Sequence, residues 1–70
     1  MITLDLHGIR HHDVQEIVHN FINDNWGKEL RIITGNSNTM KTIVCEVLNF
    51  YNLSFTLDNI RNLGYIIVRK

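Results

Sequence analysis

Residues 2–24 decide how this chain begins to fold, and they read ITLDLHGIRHHDVQEIVHNFIND. Apolar and polar residues alternate from Ile2 to His7, which is the pattern of a strand with one buried face. Gly8 interrupts that alternation. From His11 to Asp24 the apolar residues recur three and four positions apart, which predicts an amphipathic helix. The stretch therefore predicts a β-strand, a glycine turn and an α-helix.

The next part of the chain repeats this order. Glu29–Thr34 has an apolar centre and is predicted to be the second strand. The residues Gly35-Asn36-Ser37-Asn38 are typical of a turn, and Asn38 or Thr39 suits the N-cap of a helix. The apolar spacing from Met40 to Tyr51 predicts the second helix, and Asn52 is expected to end it in a left-handed conformation.

Two strands are expected to complete the fold. Ser54–Asp58 alternates, and Gly64–Arg69 is rich in residues that favour strands. The short turn Asp58–Leu63 predicts that these two strands are neighbours. Strand–helix–strand order favours parallel pairing. We predict one α/β domain over residues 1–70, a two-layer sandwich of order βαβαββ with a four-stranded mixed sheet and two helices on one face. The strand order stays open.

Composition limits the function classes. Seven Lys and Arg balance seven Asp and Glu, which argues against a protein that coats DNA through its total charge. The single Cys45 excludes an intramolecular disulfide, and no signal peptide or membrane-length apolar run is apparent. We therefore expect a cytoplasmic domain without a membrane partner, as a monomer or weak dimer.

Two strand-to-helix segments are candidates for binding phosphate. Asp5-Leu6-His7-Gly8 and Thr34-Gly35-Asn36-Ser37-Asn38 both lead into helix N-termini, which favour anions. Such loops lie beyond the carboxyl ends of parallel strands, where α/β proteins bind ligands. Asp5 and His7 are two residues apart and can form an acid–base pair. Alternatively, Asp5 hydrogen-bonds the following loop and His7 is simply exposed.

The motifs in these segments resemble those of the small MutS-related (Smr) domain family. Leu4-Asp5-Leu6-His7-Gly8 matches its LDLHG signature, Thr34-Gly35 matches the start of its TGxG turn, and Gly64–Val68 resembles its closing strand. Ser37 replaces the second glycine of TGxG, and the glycine-rich segment is reduced to Asn62-Leu63-Gly64-Tyr65. The resemblance implies a fold similar to the C-terminal domain of bacterial translation initiation factor three. It also implies nucleic-acid binding, and in several members endonuclease activity.

Our leading hypothesis is a domain that binds RNA or DNA without a cofactor, and endonuclease activity is left open. RNA is favoured because its 2′-hydroxyl supplies a nucleophile. Asp5 and His7 would be catalytic. The predicted nucleic-acid contacts are Gly8, Arg10, Thr34, Gly35, Asn36, Ser37, Asn38 and Lys41. The alternative is a non-enzymatic adaptor, or a regulator that mimics a larger Smr protein, and it would bind nucleic acid or a protein partner.

Other patterns are better explained structurally. Gly35–Thr42 reads GNSNTMKT, one residue from a nucleotide-binding P-loop, but Met40 belongs to the apolar stripe. His7, His11 and His12 lack the fixed spacing of metal ligands and are expected to be solvated. Trp26 is expected to cap the core under the first helix and Tyr65 to pack in the sheet, although both can stack on bases.

Overall fold

The computed structural model describes residues 1–57 and 64–69 and contains the predicted order of strands and helices. The elements are β1 (Ile2–Asp5), α1 (His11–Asp24), β2 (Leu30–Ile33), α2 (Asn38–Phe50), β3 (Phe55–Leu57) and β4 (Tyr65–Val68). Three predicted features lie outside the described residues. They are the turn Asp58–Leu63, the strand end at Asp58, and the residues Asn62 and Leu63 of the reduced glycine-rich segment. No helix among the described ranges is long and apolar enough to cross a membrane.

The four strands form one mixed sheet in the order β1-β2-β4-β3. β1 and β2 are parallel, with Leu4 opposite Ile32. β4 is antiparallel to both of its neighbours, and Ile66 lies opposite Ile32 on one side and Leu57 on the other. The predicted pairing of the last two strands is thus confirmed. The last strand in the chain lies inside the sheet, and β1 and β3 form its edges.

Both helices cover the same face of this sheet, so the two-layer prediction is confirmed. Alternate strand residues such as Ile32 and Ile66 are fully buried against the helices, while their neighbours point to the opposite face. The helices contribute the other half of the core through their apolar stripes. The buried core residues are Leu6, Val14, Val18, Ile22, Leu30, Ile32, Met40, Val44, Val47, Leu48, Ile66 and Val68.

The bounds of α1 match the prediction, and each strand is shorter than predicted. β1 ends at Asp5 because the next residues form a turn in which the Ile9 amide donates to the Leu6 carbonyl at 3.1 Å. Asn52 has φ +57°, which confirms the left-handed residue after α2. The expected N-cap of α2 was wrong: the Ser37 hydroxyl accepts the Met40 amide at 3.1 Å, so the helix begins at Asn38.

The prediction for Trp26 was also wrong. This side chain is 57% exposed, and its ring meets the edge of the Tyr51 ring with centroids 5.7 Å apart. Trp26 follows the end of α1, where the helical periodicity no longer determines which side chains face the core. Trp26, Phe50, which is 73% exposed, and the half-buried Tyr51 form an aromatic patch where the two helices end.

Candidate nucleic-acid interface

The two predicted loops leave the same edge of the sheet. β1 and β2 run in parallel with Asp5 opposite Ile33, and the Leu6 amide donates to the Ile33 carbonyl at 3.0 Å. The turn at His7 and Gly8 therefore begins beside the turn at Thr34 and Gly35. Both helices also start from this edge, because each follows one of these turns. A single extended ligand can thus reach both segments.

The first turn is held by a carboxylate. Asp5 Oδ1 accepts the backbone amide of His7 at 2.9 Å, while the His7 side chain is exposed to solvent. This hydrogen bond joins the Asp5 carboxylate to the main chain of the turn rather than to the His7 imidazole. Asp5 therefore fixes the path of the chain at His7, as short acidic side chains commonly do in turns.

The second turn is tied to the start of β4. The amides of Thr34 and Gly35 both donate to the Gly64 carbonyl, at 2.8 Å and 2.9 Å. The buried Thr34 hydroxyl lies 3.4 Å from the same oxygen and 3.1 Å from the Gly35 carbonyl. A Cβ atom on Gly64 would lie 3.1 Å from Gly35 Cα, so the two backbones touch. These two amides are engaged inside the protein and do not point at a ligand.

The start of α2 is the better anion site of the two helix N-termini. Its first turn contains no acidic residue, and its first intrahelical amide donor is Lys41, whose amide donates to the Ser37 carbonyl at 3.1 Å. The Asn38 and Thr39 amides precede that donor at the positive end of the helix dipole. α1 differs, because Asp13 lies in its first turn and offsets the same partial charge.

The predicted basic residues lie on either side of the two turns. Arg10 is exposed at the N-cap of α1, and Lys41 is half-buried in the first turn of α2. Arg10 shares a shallow depression with Asp13 and Glu16, whose carboxylates weaken its attraction for phosphate. Lys41 likewise shares a depression with Glu46, so a carboxylate lies near each of the two predicted cations.

The predicted histidines do not form a single cluster. His7 lies in the turn after β1, whereas His11 and His12 line a groove between the helices. The exposed His12 ring lies 3.2 Å from the Asp13 carboxylate. Within residues 1–57 and 64–69, no group of three or more His, Cys, Asp or Glu is arranged to hold a metal ion.

Cys45 is not placed to act as a nucleophile. It lies half-buried on α2, packed against the core, as expected for a small apolar filler. Burial raises the pKa of the Cys45 thiol, so the reactive thiolate is disfavoured near neutral pH.

Sequence reasoning missed a pair on the face of the sheet opposite the helices. Arg31 Cζ lies 5.8 Å from the centroid of the Tyr65 ring, and Arg31 Nε donates to Thr3 Oγ1 at 3.3 Å. Tyr65 lies opposite Ile33, which lies opposite Asp5, so this pair is close to the two turns. The exposed Arg31 between buried Leu30 and Ile32 signals an outward-facing residue, but only the strand order brings it to Tyr65.

Comparisons with known proteins do not extend these observations. No protein-family model, no curated protein and no solved structure matches the chain. By its fold, the protein is an α/β two-layer sandwich in which two loops leave the carboxyl edge of two parallel strands. The resemblance to Smr domains depends on the sequence motifs and stays a prediction.

Proposed function

We propose that this chain is an Smr-like domain that binds the phosphodiester backbone of RNA at the edge where β1 and β2 end, and that it cleaves the bound strand. The observation that carries the proposal is the convergence of the His7 turn, the Gly35 turn and the start of α2 at one edge. This is where ligands bind in open α/β sheets. The order of the LDLHG and Thr-Gly motifs supports the same conclusion.

The phosphate contacts come from the α2 side. We assign these contacts to the backbone amides at the start of α2 and to the exposed side chains of Asn36 and Asn38, because the first turn of this helix contains no acidic residue. Lys41 and Arg10 add positive charge on the two sides of the edge. Thr34 and Gly35 have a supporting role, because their amides fix the turn against Gly64.

His7 is the group proposed to move the proton during cleavage. Its imidazole is exposed at the proposed phosphate site, and histidine is the side chain most often used in general acid–base catalysis. It accepts the proton of an RNA 2′-hydroxyl, whose oxygen attacks the adjacent phosphorus. The bond from phosphorus to the 5′-oxygen then breaks, which leaves a 2′,3′-cyclic phosphate and a 5′-alkoxide. The alkoxide takes a proton from solvent water and becomes the 5′-hydroxyl, and the protonated His7 returns its proton to the solvent. Asp5 is a positioning residue, because its carboxylate holds the His7 amide.

Binding is tested by the salt dependence of affinity for a labelled single-stranded RNA. Two to three phosphate contacts predict a loss of roughly 7- to 20-fold between 50 and 200 mM salt, from a slope of about −0.7 per contact. Arg10→Gln or Lys41→Gln should each lower that slope by about 0.7. Lys28→Gln is the matched control, because Lys28 is exposed beyond the opposite end of α1. An affinity independent of salt contradicts the proposed interface.

Cleavage is tested separately, with and without a chelator. We expect wild-type protein to produce cyclic-phosphate ends and His7→Ala to produce none, while both bind RNA equally. Asp5→Asn should reduce the rate less than His7→Ala, because the amide can still accept the His7 hydrogen bond. Equal cutting by the wild type and by a variant carrying both Asp5→Ala and His7→Ala would remove the catalytic part of the proposal.

A second candidate function is a protein-binding adaptor. The aromatic patch of Trp26, Phe50 and Tyr51 favours it, because exposed aromatic side chains commonly anchor protein interfaces. Binding through such a patch should change little with salt and should be lost in Trp26→Ser, whereas RNA binding should be unaffected by that substitution.

A further inference from the structure

The sheet face opposite the helices, here called the open face, has a mixed apolar and polar surface. Strand register places its side chains in two rows. The first row contains Thr3, Arg31, Ile67 and Thr56, and the second contains Asp5, Ile33 and Tyr65. The three apolar or aromatic members are half-buried, and none of them belongs to the core on the other side of the sheet. The open face thus offers apolar and aromatic contacts together with one cation, Arg31, and one carboxylate, Asp5.

Arg31 and Tyr65 form the centre of this surface. They belong to adjacent strands, and the guanidinium carbon lies 5.8 Å from the ring centroid. Thr3 holds the guanidinium from the β1 side through a 3.3 Å hydrogen bond. A tethered guanidinium beside an aromatic ring loses less conformational entropy on binding than a free side chain. Both groups are surfaces on which nucleic-acid bases stack.

The open face adjoins the proposed backbone-binding edge. Asp5, Ile33 and Tyr65 form the row closest to the ends of β1 and β2, and His7 follows Asp5 in the adjoining turn. Adjacent strands are about 4.8 Å apart, so Tyr65 lies about 10 Å across the sheet from Asp5. A nucleotide whose phosphate lies at the turn can therefore place its own base, or that of its neighbour, over this row.

We infer that the open face binds unpaired bases of single-stranded RNA, with Tyr65 and Arg31 as the stacking residues. The inference rests on the proposed backbone binding at the edge and gives its substrate class. Bases inside a duplex are already stacked, whereas those of a single strand can lie on a protein surface. The chain has no net charge, so affinity requires a contribution beyond bulk electrostatics, and stacking supplies one.

The open face fits RNA better than a protein partner. Its only aromatic side chain among the described residues is Tyr65, which is half-buried beside a cation. The exposed Trp26 and Phe50, which are the stronger anchors for a protein interface, lie where the helices end. The base-stacking surface and the aromatic patch can therefore be altered independently.

The test compares the affinity of four variants for a fluorescein-labelled 12-nucleotide oligouridylate, with a 12-base-pair RNA duplex as competitor. Tyr65→Leu removes the ring and should weaken binding about 5- to 160-fold, the range that base stacking on one aromatic contributes. Tyr65→Phe keeps the ring and should bind within about twofold of the wild type. Arg31→Gln should weaken binding by severalfold. Trp26→Leu is the matched control and should leave binding unchanged.

The outcomes separate this inference from the proposed function. If the wild type and Tyr65→Leu bind the oligouridylate equally while Arg10→Gln weakens binding, the stacking inference is overturned and the proposed function stands. If the wild type binds no RNA at all, both are overturned. Equal affinity for the duplex and the single strand also overturns the stacking inference. Arg31 is exposed, so Arg31→Gln gives a decisive result even if Tyr65→Leu does not fold.

Discussion

Replacement of Gly64 by alanine tests whether the contact between Gly64 and the Gly35 turn supports the fold. Gly64 has φ +75°, and a left-handed conformation costs a residue with a Cβ about 1–2 kcal/mol. The new Cβ would also lie 3.1 Å from Gly35 Cα and 3.3 Å from its carbonyl carbon. Because both are backbone atoms, a side-chain rotation cannot relieve this contact.

The second contribution to the loss of stability in Gly64→Ala comes from the hydrogen bonds between Gly64 and the Gly35 turn. Separating the two backbones lengthens the bonds from the Thr34 and Gly35 amides to the Gly64 carbonyl, which now measure 2.8 Å and 2.9 Å. Because the bonds are weakened and not lost, the cost is about 0.5–1 kcal/mol each, the lower part of the range that one such bond contributes. We therefore expect Gly64→Ala to lower the free energy of unfolding by about 2–4 kcal/mol, most of the roughly 3–5 kcal/mol that a domain of this size has.

Gly27→Ala is the matched control, because Gly27 has φ +80° but a Cβ there meets nothing within 4 Å. It should cost only the conformational part, about 1–2 kcal/mol. Urea unfolding followed by far-ultraviolet circular dichroism measures both variants. At a slope of about 1 kcal/mol per molar urea, their midpoints should differ by about 1–2 M. Coincident midpoints would refute the reasoning, because the two variants differ chiefly in the contact with Gly35.

Three further predictions concern single side chains in α2 or at its two ends. Ser37→Ala should lower the free energy of unfolding by about 1 kcal/mol, because it removes the hydroxyl that caps the Met40 amide. Urea unfolding measures this loss, and an unchanged free energy would contradict the capping role of Ser37. Tyr51→Phe removes the hydroxyl that lies 2.7 Å from His19 Nδ1 and should lower the free energy of unfolding by about 0.5–1.5 kcal/mol in the same assay. Unaltered stability would show that this hydrogen bond contributes nothing. Burial raises the pKa of Cys45, so the stabilisation from keeping this thiol protonated is present below its unfolded pKa and is lost as pH rises through the folded value. The wild type should therefore lose more stability than Cys45→Ala between pH 8 and pH 10, and parallel pH profiles would be evidence against this.

Local signals in the sequence predict the elements of this fold well. The interval from His11 to Asp24 matches α1 because its apolar periodicity lies between Gly8 and the Asn25-Trp26-Gly27 segment. The N-cap of α2 was misassigned because Ser37, Asn38 and Thr39 all have short polar side chains that can cap a helix. Choosing among such neighbours requires the backbone conformation, which the residue types alone do not determine.

Relations between distant segments were less predictable. The position of β4 beside β2 is set by tertiary packing, so the engagement of the Gly35 amide by Gly64 was not expected. The same strand order brings Arg31 to Tyr65. The parallel pairing of β1 and β2, which brings the two turns to one edge, was predicted because consecutive strands joined by a helix usually pair in parallel. The sequence left two roles open for Asp5, an acid–base pair with His7 or a hydrogen bond to the following loop. In the structure its carboxylate accepts a hydrogen bond from the His7 backbone amide.

The location of β4 inside the sheet has a consequence for folding during synthesis. Both helices and three strands leave the ribosome before the strand that must insert between β2 and β3. Until then β2 has an unpaired side that can join the strand of another chain. The non-local pairing also slows folding relative to a helical protein of similar length. Nascent or truncated chains that end before residue 65 should therefore aggregate or be degraded instead of adopting a partial version of this structure.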